Sequence, residues 1–245
     1  YASFYDNTIL TSYVVPNWIG RTTSVPANGF WGRDHGDSSG IPPDADKRTV
    51  GGVYPIGGAY GAAGSVQTSG TMGAKGAGIM PMTLSSYVKF LIAEASLTVP
   101  GFIDATRART SFQQGIDESI EKVTNFNAEY IATKIRPAQV TALNSNKTAY
   151  RNYMLAKYDG LSSDDERLEI IIKEYFIAAW GNGIEPYNNY RRTGYPSNLQ
   201  PTIIASSSPY FYTAYYPASV VNNNPNMPNN VRTRRLFWDA NLTLQ

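Results

Sequence analysis

The sequence predicts a mainly α fold of stacked αα-hairpins with long irregular loops and little β structure. Apolar residues recur with helical spacing between about residues 83 and 192, in four successive segments joined by short turns. The flanking stretches are instead broken by Gly, Pro, Asn and Ser. We therefore expect a single region of 245 residues with a loop-rich part at 1–82, a helical part at 83–192 and a loop-rich C-terminal part at 193–245.

The first part is predicted to consist of loops. Pro fixes φ and removes a backbone donor, and Gly permits positive φ, so the stretches 36–43 and 51–58 cannot form long regular elements. A loop region of this length in a compact domain is usually functional or lies over a scaffold supplied by other elements. Residues 1–82 are therefore the predicted ligand-binding part.

Three helices are predicted in the first section of the helical part. One apolar face of the first helix, which should end before Pro100, is formed by Leu84, Tyr87, Val88, Leu91, Ile92 and Ala95. The second helix has an apolar face of Phe112, Ile116, Ile120 and Val123, and Gly115 should weaken it by about 1 kcal/mol. The third helix runs from Pro137 to about Tyr158, with Gly160 as a left-handed C-terminal cap.

The fourth helix carries the strongest local signal. Residues 163–166, Ser-Asp-Asp-Glu, form a capping box in which Ser163 and Glu166 satisfy each other's free backbone N–H groups. Its apolar face comprises Leu168, Ile171, Ile172, Tyr175, Phe176 and Ala179, and Gly181 should end it. After Arg192 the sequence returns to loops, and the Asn- and Pro-rich stretch 221–228 is too polar to lie in a core.

The composition excludes several classes of function. With no Cys and with His35 as the only His, the chain cannot form a Cys-rich zinc site, an iron–sulfur cluster, a thiol nucleophile or a multi-His metal centre. A net charge of +2 with interspersed charges gives no footprint for nucleic acid. Charged residues are 16% of the chain, below the usual ~25%, whereas aromatic residues reach 13%. This balance is typical of surfaces that recognise neutral polar ligands, and equally of an exposed domain with many loops.

Three segments with distinctive motifs follow one another along the sequence. The first is Phe30-Trp31-Gly32-Arg33-Asp34-His35-Gly36-Asp37 with Ile41-Pro42-Pro43-Asp44, Arg48-Thr49 and Gly52-Val53-Tyr54-Pro55. The second is Phe90-Leu91-Ile92-Ala93-Glu94-Ala95, followed by Gly115-Ile116-Asp117-Glu118-Ser119. The third is Gly183-Ile184-Glu185-Pro186-Tyr187 with Arg191-Arg192-Thr193-Gly194-Tyr195-Pro196. In this order the segments resemble the SusD/RagB family of Bacteroidetes outer-membrane lipoproteins, and the first segment is similar to the second SusD-like subfamily. Two departures are Tyr187, where many relatives have Trp, and Glu174-Tyr175, which replaces a common Gln-Lys/Arg-Trp-like run.

The resemblance implies a SusD-like, tetratricopeptide-like helical fold and a binding protein that is not an enzyme and needs no cofactor. Such a protein captures oligosaccharides, or in some branches peptides, at the cell surface and acts with a SusC-like TonB-dependent outer-membrane transporter. Its relatives begin with a signal peptide, an acylated Cys and a helical first half. We therefore expect this sequence to be the C-terminal half of a longer lipoprotein, anchored through a lipid to the outer membrane, with apolar helix faces left exposed.

The predicted ligand contacts lie in the first-part loops. A sugar face stacked on an aromatic ring contributes about 1 kcal/mol, so several rings together with polar partners are needed. The candidates are Trp18, Trp31, Arg33, Asp34, Tyr54 and Tyr60. Trp31 stands out because Arg33 and Asp34 offer a donor and an acceptor beside a stacking face. The alternative is that Trp18, Phe30 and Trp31 anchor a long loop onto the helices.

Other interpretations remain open from the sequence. A helical glycoside hydrolase would need two carboxylates about 5–10 Å apart, and Asp34, Asp44, Glu94 and Glu174 are available. A purely structural helical adaptor would bury Trp18 and Trp31. The oxygen-rich group of Asp34, Asp37, Asp44 and Asp46 could hold calcium, although turn capping is the more common role. Arg191 and Arg192 could contact a ligand or a partner, but a structural role is favoured, in which a guanidinium pairs with Glu185 or another helix acid.

Overall fold

The computed structural model describes residues 79–126, 137–199, 213 and 215–227. This part of the chain is mainly helical and contains no strand. In chain order the helices are α1 (Ser85–Thr98), α2 (Ala105–Asn125), α3 (Pro137–Asp159), α4 (Asp164–Ala178), α5 (Ile184–Thr193) and α6 (Ala218–Asn223). The predicted mainly α fold class is confirmed. None of the helices in the described ranges is long and apolar enough to span a bilayer.

Aromatic rings from four helices form the centre of the core. Phe90 of α1 stacks on Tyr175 of α4 with ring centroids 5.6 Å apart, and it meets Phe112 of α2 edge-on at 6.4 Å. Phe112 in turn stacks on Tyr158 of α3 at 5.2 Å. All four side chains are at most 3% exposed. Offset and edge-on ring pairs of this kind contribute about 0.5–1.5 kcal/mol beyond the burial of apolar area.

Helices α2 and α3 are joined by three ion pairs in antiparallel register. Arg109 pairs with Asp159, its Nε lying 2.6 Å from Oδ1. The next two pairs follow along both helices, Asp117 with Arg151 at 3.5 Å and Glu121 with Lys147.

The predicted apolar face of the second helix is also confirmed, because Phe112 and Ile116 are buried and Ile120 packs against the core.

The capping box of α4 is confirmed. The Ser163 hydroxyl accepts a hydrogen bond from the backbone N–H of Glu166, and the Glu166 carboxylate accepts one from the N–H of Ser163. These bonds hold the pKa of the Glu166 carboxyl below its ordinary value. The helix ends at Ala178, and Gly181 follows in the left-handed conformation. The sequence therefore predicts the beginning and the approximate end of this helix.

The predicted face of α1 is partly wrong. Tyr87 is buried, but Val88 and Leu91 are 45% and 37% exposed, and the helix instead buries Phe90, Ala93 and Leu97. Helix α1 is apolar on both of these faces, so periodicity alone could not decide which face meets α2 and α4. The exposed Leu91 agrees with the expectation of uncovered apolar helix faces.

Two further expectations concern helix ends and the C-terminal part. Gly160 does not form the left-handed cap predicted after α3, since its φ lies outside that region; its N–H donates to Ala156 O instead. The short helix α6 was not predicted, but all its residues are exposed, as expected for a segment too polar for the core.

Candidate functional site

The predicted ring-bearing loops lie outside the described residues. This applies to all six candidate contacts, which are Trp18, Trp31, Arg33, Asp34, Tyr54 and Tyr60, and also to the aspartates considered for calcium. Their role stays a prediction. The described residues do include the second and third motif segments, and these form one connected arrangement at the junction of α1, α4 and α5.

The run Arg191-Arg192-Thr193-Gly194 terminates α5. Gly194 adopts φ 79° and its N–H donates to Tyr190 O at 2.8 Å. A left-handed residue at this position suits Gly because it has no Cβ to clash with the backbone. The Thr193 hydroxyl donates to Asn189 O and accepts from the N–H of Tyr195. Thr193 and Gly194 therefore fix the direction in which the chain leaves the helix.

Arg192 connects the end of α5 to α1. Its Nη2 donates to Glu94 Oε2 at 2.6 Å and to Asn189 Oδ1 at 2.9 Å. Burial raises the pKa of the Glu94 carboxyl, although the Arg192 guanidinium acts in the opposite direction. The predicted structural role of Arg192 is therefore confirmed, with Glu94 rather than Glu185 as its acidic partner. Arg191 is buried and its guanidinium lies 5.5 Å from the centroid of the Tyr187 ring.

The beginning of α5 is held by a second set of contacts. Asn182 Oδ1 accepts from the N–H groups of Ile184 and Glu185, and Asn182 Nδ2 donates to Met82 O at 3.1 Å. Glu185 then accepts a hydrogen bond from the Tyr175 hydroxyl at 2.8 Å. Burial and the Glu185 carboxylate both raise the pKa of Tyr175, so the phenol remains a neutral donor. Helix α5 is thus fixed to α4 near its beginning and to α1 at its end.

Gly115 lies against the ring of Phe90. A Cβ added at Gly115 would come within 2.8 Å of the Phe90 ring. The segment 90–95 therefore contacts the segment 115–119 through Phe90, and it contacts the run 191–194 through Glu94. Motif segments that are far apart in the sequence are neighbours in the fold, and their shared residues serve packing and anchoring.

Comparison with known families agrees with this arrangement. The model of the SusD-like family, described as SusD and RagB outer membrane lipoprotein, matches residues 63–233, which is more than half of the chain. The chain belongs to the SusD/RagB family. The match includes both motif segments joined by the Glu94–Arg192 ion pair.

One solved structure gives a weaker likeness. It is named Bacteroidetes AC2a SusD-like, and it is 19% identical in sequence to this chain, with a TM-score of 0.42. The likeness covers 65% of this chain and 30% of the solved one, so this SusD/RagB chain spans less than a third of that structure's length. No curated protein matches the chain.

The carboxylates considered for catalysis are engaged within the fold where they are described. Glu94 pairs with Arg192, and Glu174 is buried and accepts a hydrogen bond from the Tyr150 hydroxyl. Asp34 and Asp44 lie outside the described residues. Within the described ranges no group of His, Asp or Glu side chains could hold a metal ion.

Trp180 is an exposed aromatic residue that the sequence analysis did not single out. It follows directly after α4 and is 49% exposed, and the side chains of Met82 and Ile184 are also strongly exposed. In this SusD/RagB chain the Asn182 side chain hydrogen-bonds to the backbones of Met82 and Ile184 and so links these two residues. The only sequence signal was the Trp-Gly-Asn-Gly turn at 180–183, where a ring adjoins residues that favour turns.

Proposed function

We propose that this chain is part of a nutrient-binding lipoprotein of the outer cell surface that captures oligosaccharides, or alternatively peptides. The observation that carries the proposal is the family match over residues 63–233. The protein passes its ligand to a SusC-like TonB-dependent outer-membrane transporter and is held at the membrane by a lipid anchor. Capture proceeds by non-covalent binding, with no chemical change to the ligand.

The composition supports a neutral, hydroxyl-rich ligand. The chain has 18 Tyr, 9 Phe and 4 Trp residues, and few charges for its length. Aromatic faces stack on the C–H faces of sugars, and Asn and Ser side chains exchange hydrogen bonds with hydroxyl groups. Each stacked face contributes about 1 kcal/mol, whereas millimolar binding requires about 4 kcal/mol. Several rings must therefore act together.

We assign ligand contacts to six residues of the first-part loops. Trp18, Trp31, Tyr54 and Tyr60 supply stacking faces, and Arg33 and Asp34 supply a donor and an acceptor. Binding residues are commonly carried by loops on a rigid scaffold. The aromatic core and the two anchored ends of α5 give the described helices the rigidity that such a scaffold requires.

The proposal is tested by calorimetry with the full-length protein and a panel of oligosaccharides and peptides. For a ligand that binds, Trp31→Ala should weaken the affinity about fivefold, the equivalent of one lost stacking face of about 1 kcal/mol. The matched control is Phe102→Ala. It removes a partly exposed ring, one face of which is occupied by the Arg107 guanidinium, 3.8 Å from the ring centroid. Its affinity should equal that of the unmodified protein.

Two outcomes would contradict the proposal. One is the absence of binding to every oligosaccharide and peptide in the panel. The other is release of reducing sugar that is abolished by a single change such as Asp34→Asn, because this would identify a hydrolase.

A further inference from the structure

A buried carboxyl group lies between α3 and α4. Glu174 of α4 is 4% exposed, and both of its oxygens lie within hydrogen-bonding distance of the Tyr150 hydroxyl on α3, Oε1 at 2.9 Å and Oε2 at 2.7 Å. One hydroxyl proton can serve only one of these oxygens at a time. Within the described ranges no ion pair involves Glu174. An ionised Glu174 would therefore be a buried charge with a single hydrogen-bond donor among the residues that the structure describes.

The contact is far from the turn that connects the two helices. Residues 160–163 form this turn, and Tyr150 and Glu174 each lie about ten residues from it, or roughly 15 Å along a helix axis. The end near the turn has its own contacts, since Arg167 donates to Leu161 O at 2.6 Å and lies over the Tyr158 ring. The Tyr150–Glu174 contact thus holds together the open end of the α3–α4 hairpin.

We propose that the Tyr150–Glu174 contact is a proton-operated clasp: the open end of the α3–α4 hairpin is closed when the Glu174 carboxyl is protonated, and it opens more readily when that carboxyl ionises, because burial then holds a charge away from water. The neutral carboxyl needs no counter-charge and keeps its hydrogen bond to Tyr150. Contact with water lowers the free energy of the ionised carboxylate, and local separation of the helices provides that contact.

The surrounding charges support this direction. Burial raises the pKa of Glu174 from 4.5 to about 7, against the opposing effects of the Tyr150 hydrogen bond and of Lys173 and Lys157. Tyr150 and Lys157 lie on α3, and Lys173 lies on α4. The pKa in the closed state is thus above the pKa in the open, hydrated state. The clasp is therefore most stable below pH 4.5, it loses stability as the pH rises toward 7, and it changes little above that.

The test is amide hydrogen exchange of the full-length protein between pH 4.5 and 8.5, corrected for the intrinsic exchange rate. Protection of the amides at 147–151 and 172–176 should fall on the order of a hundredfold between pH 4.5 and 7 and then level off. In Glu174→Gln, which carries a neutral side chain of the same shape, protection at these amides should not depend on pH.

Two further variants separate a clasp from a general effect of pH on the fold. Glu169→Gln changes a partly exposed carboxylate on the same helix, which accepts a hydrogen bond from the Ser197 hydroxyl, and should keep the profile of the unmodified protein. Tyr150→Phe removes a hydrogen bond that favours the ionised form, so the midpoint of the change should move to higher pH. Equal protection at pH 4.5 and pH 7 in the unmodified protein would overturn the proposal, as would an unchanged pH profile in Glu174→Gln.

Discussion

Gly115 determines how closely α1 and α2 approach each other. The Phe90 ring occupies the space that a side chain at position 115 would need. This ring cannot readily move aside, because it is 1% exposed and lies between Tyr175 and Phe112. The sequence pattern indicates only that Gly115 weakens α2, but the packing of the core requires a residue without a side chain at this position.

We predict that Gly115→Ala lowers the free energy of unfolding by about 1 kcal/mol. Overpacking a core costs about 1–3 kcal/mol, and the better helix propensity of Ala returns about 1 kcal/mol of this. Urea unfolding followed by circular dichroism measures the change. The control is Gly160→Ala, whose added Cβ would meet only ordinary van der Waals contacts and should change stability by less than about 0.5 kcal/mol. A Gly115→Ala variant as stable as the unmodified chain would show that Phe90 can move.

The helices differ in how far their own sequence specifies them. The capping box of α4 is contained in four consecutive residues, so its geometry could be predicted without knowledge of the rest of the fold. The orientation of α1 could not, because this helix carries apolar residues on two faces and its partners select one of them. For Arg192 the type of partner was predictable, but its identity, Glu94, depends on how α5 lies against α1. Local hydrogen bonds are thus readable from sequence, whereas contacts between distant segments require the fold.

At the level of paired helices, we predict energetic coupling between Asp117 of α2 and Arg151 of α3. Each single reversal, Asp117→Arg or Arg151→Asp, places like charges opposite each other and should lower the free energy of unfolding by about 0.5–1 kcal/mol. The double variant restores an opposite-charge pair and should be more stable than the sum of the two single changes predicts. A double-mutant cycle by urea unfolding measures this coupling, which 1 M NaCl should reduce. Additive effects of the two reversals would show that the pair contributes nothing.

Across the whole molecule, this member of the SusD/RagB family combines a low charge content with a high aromatic content. Its net charge is +2, so no strong field attracts a charged ligand. The described part also leaves apolar side chains exposed, Val88 and Leu91 on α1 and Trp180 with Ile184 near α5. The family and the helical scaffold could thus be predicted from ordered motifs, whereas the ligand depends on ring orientation, which no motif encodes.

Binding of a neutral oligosaccharide should be nearly independent of salt. Stacking and hydrogen bonds between neutral groups are not screened, so the affinity of the full-length protein should change less than about twofold between 50 and 500 mM NaCl. Calorimetry at the two salt concentrations measures this directly. A tenfold loss at high salt would instead indicate a charged ligand, such as a peptide bound through its side chains.

The spacing of the three ion pairs between α2 and α3 favours one register of the two helices. On α2, Asp117 follows Arg109 by eight residues and Glu121 follows Asp117 by four. On α3, the partners Asp159, Arg151 and Lys147 are separated by the same eight and four residues in the opposite chain direction. A shift by one helical turn would keep a single attractive pair, Asp117 with Lys147 in one direction or Glu121 with Arg151 in the other. Since all three ion pairs form together at only one alignment, they select a single register of α2 against α3.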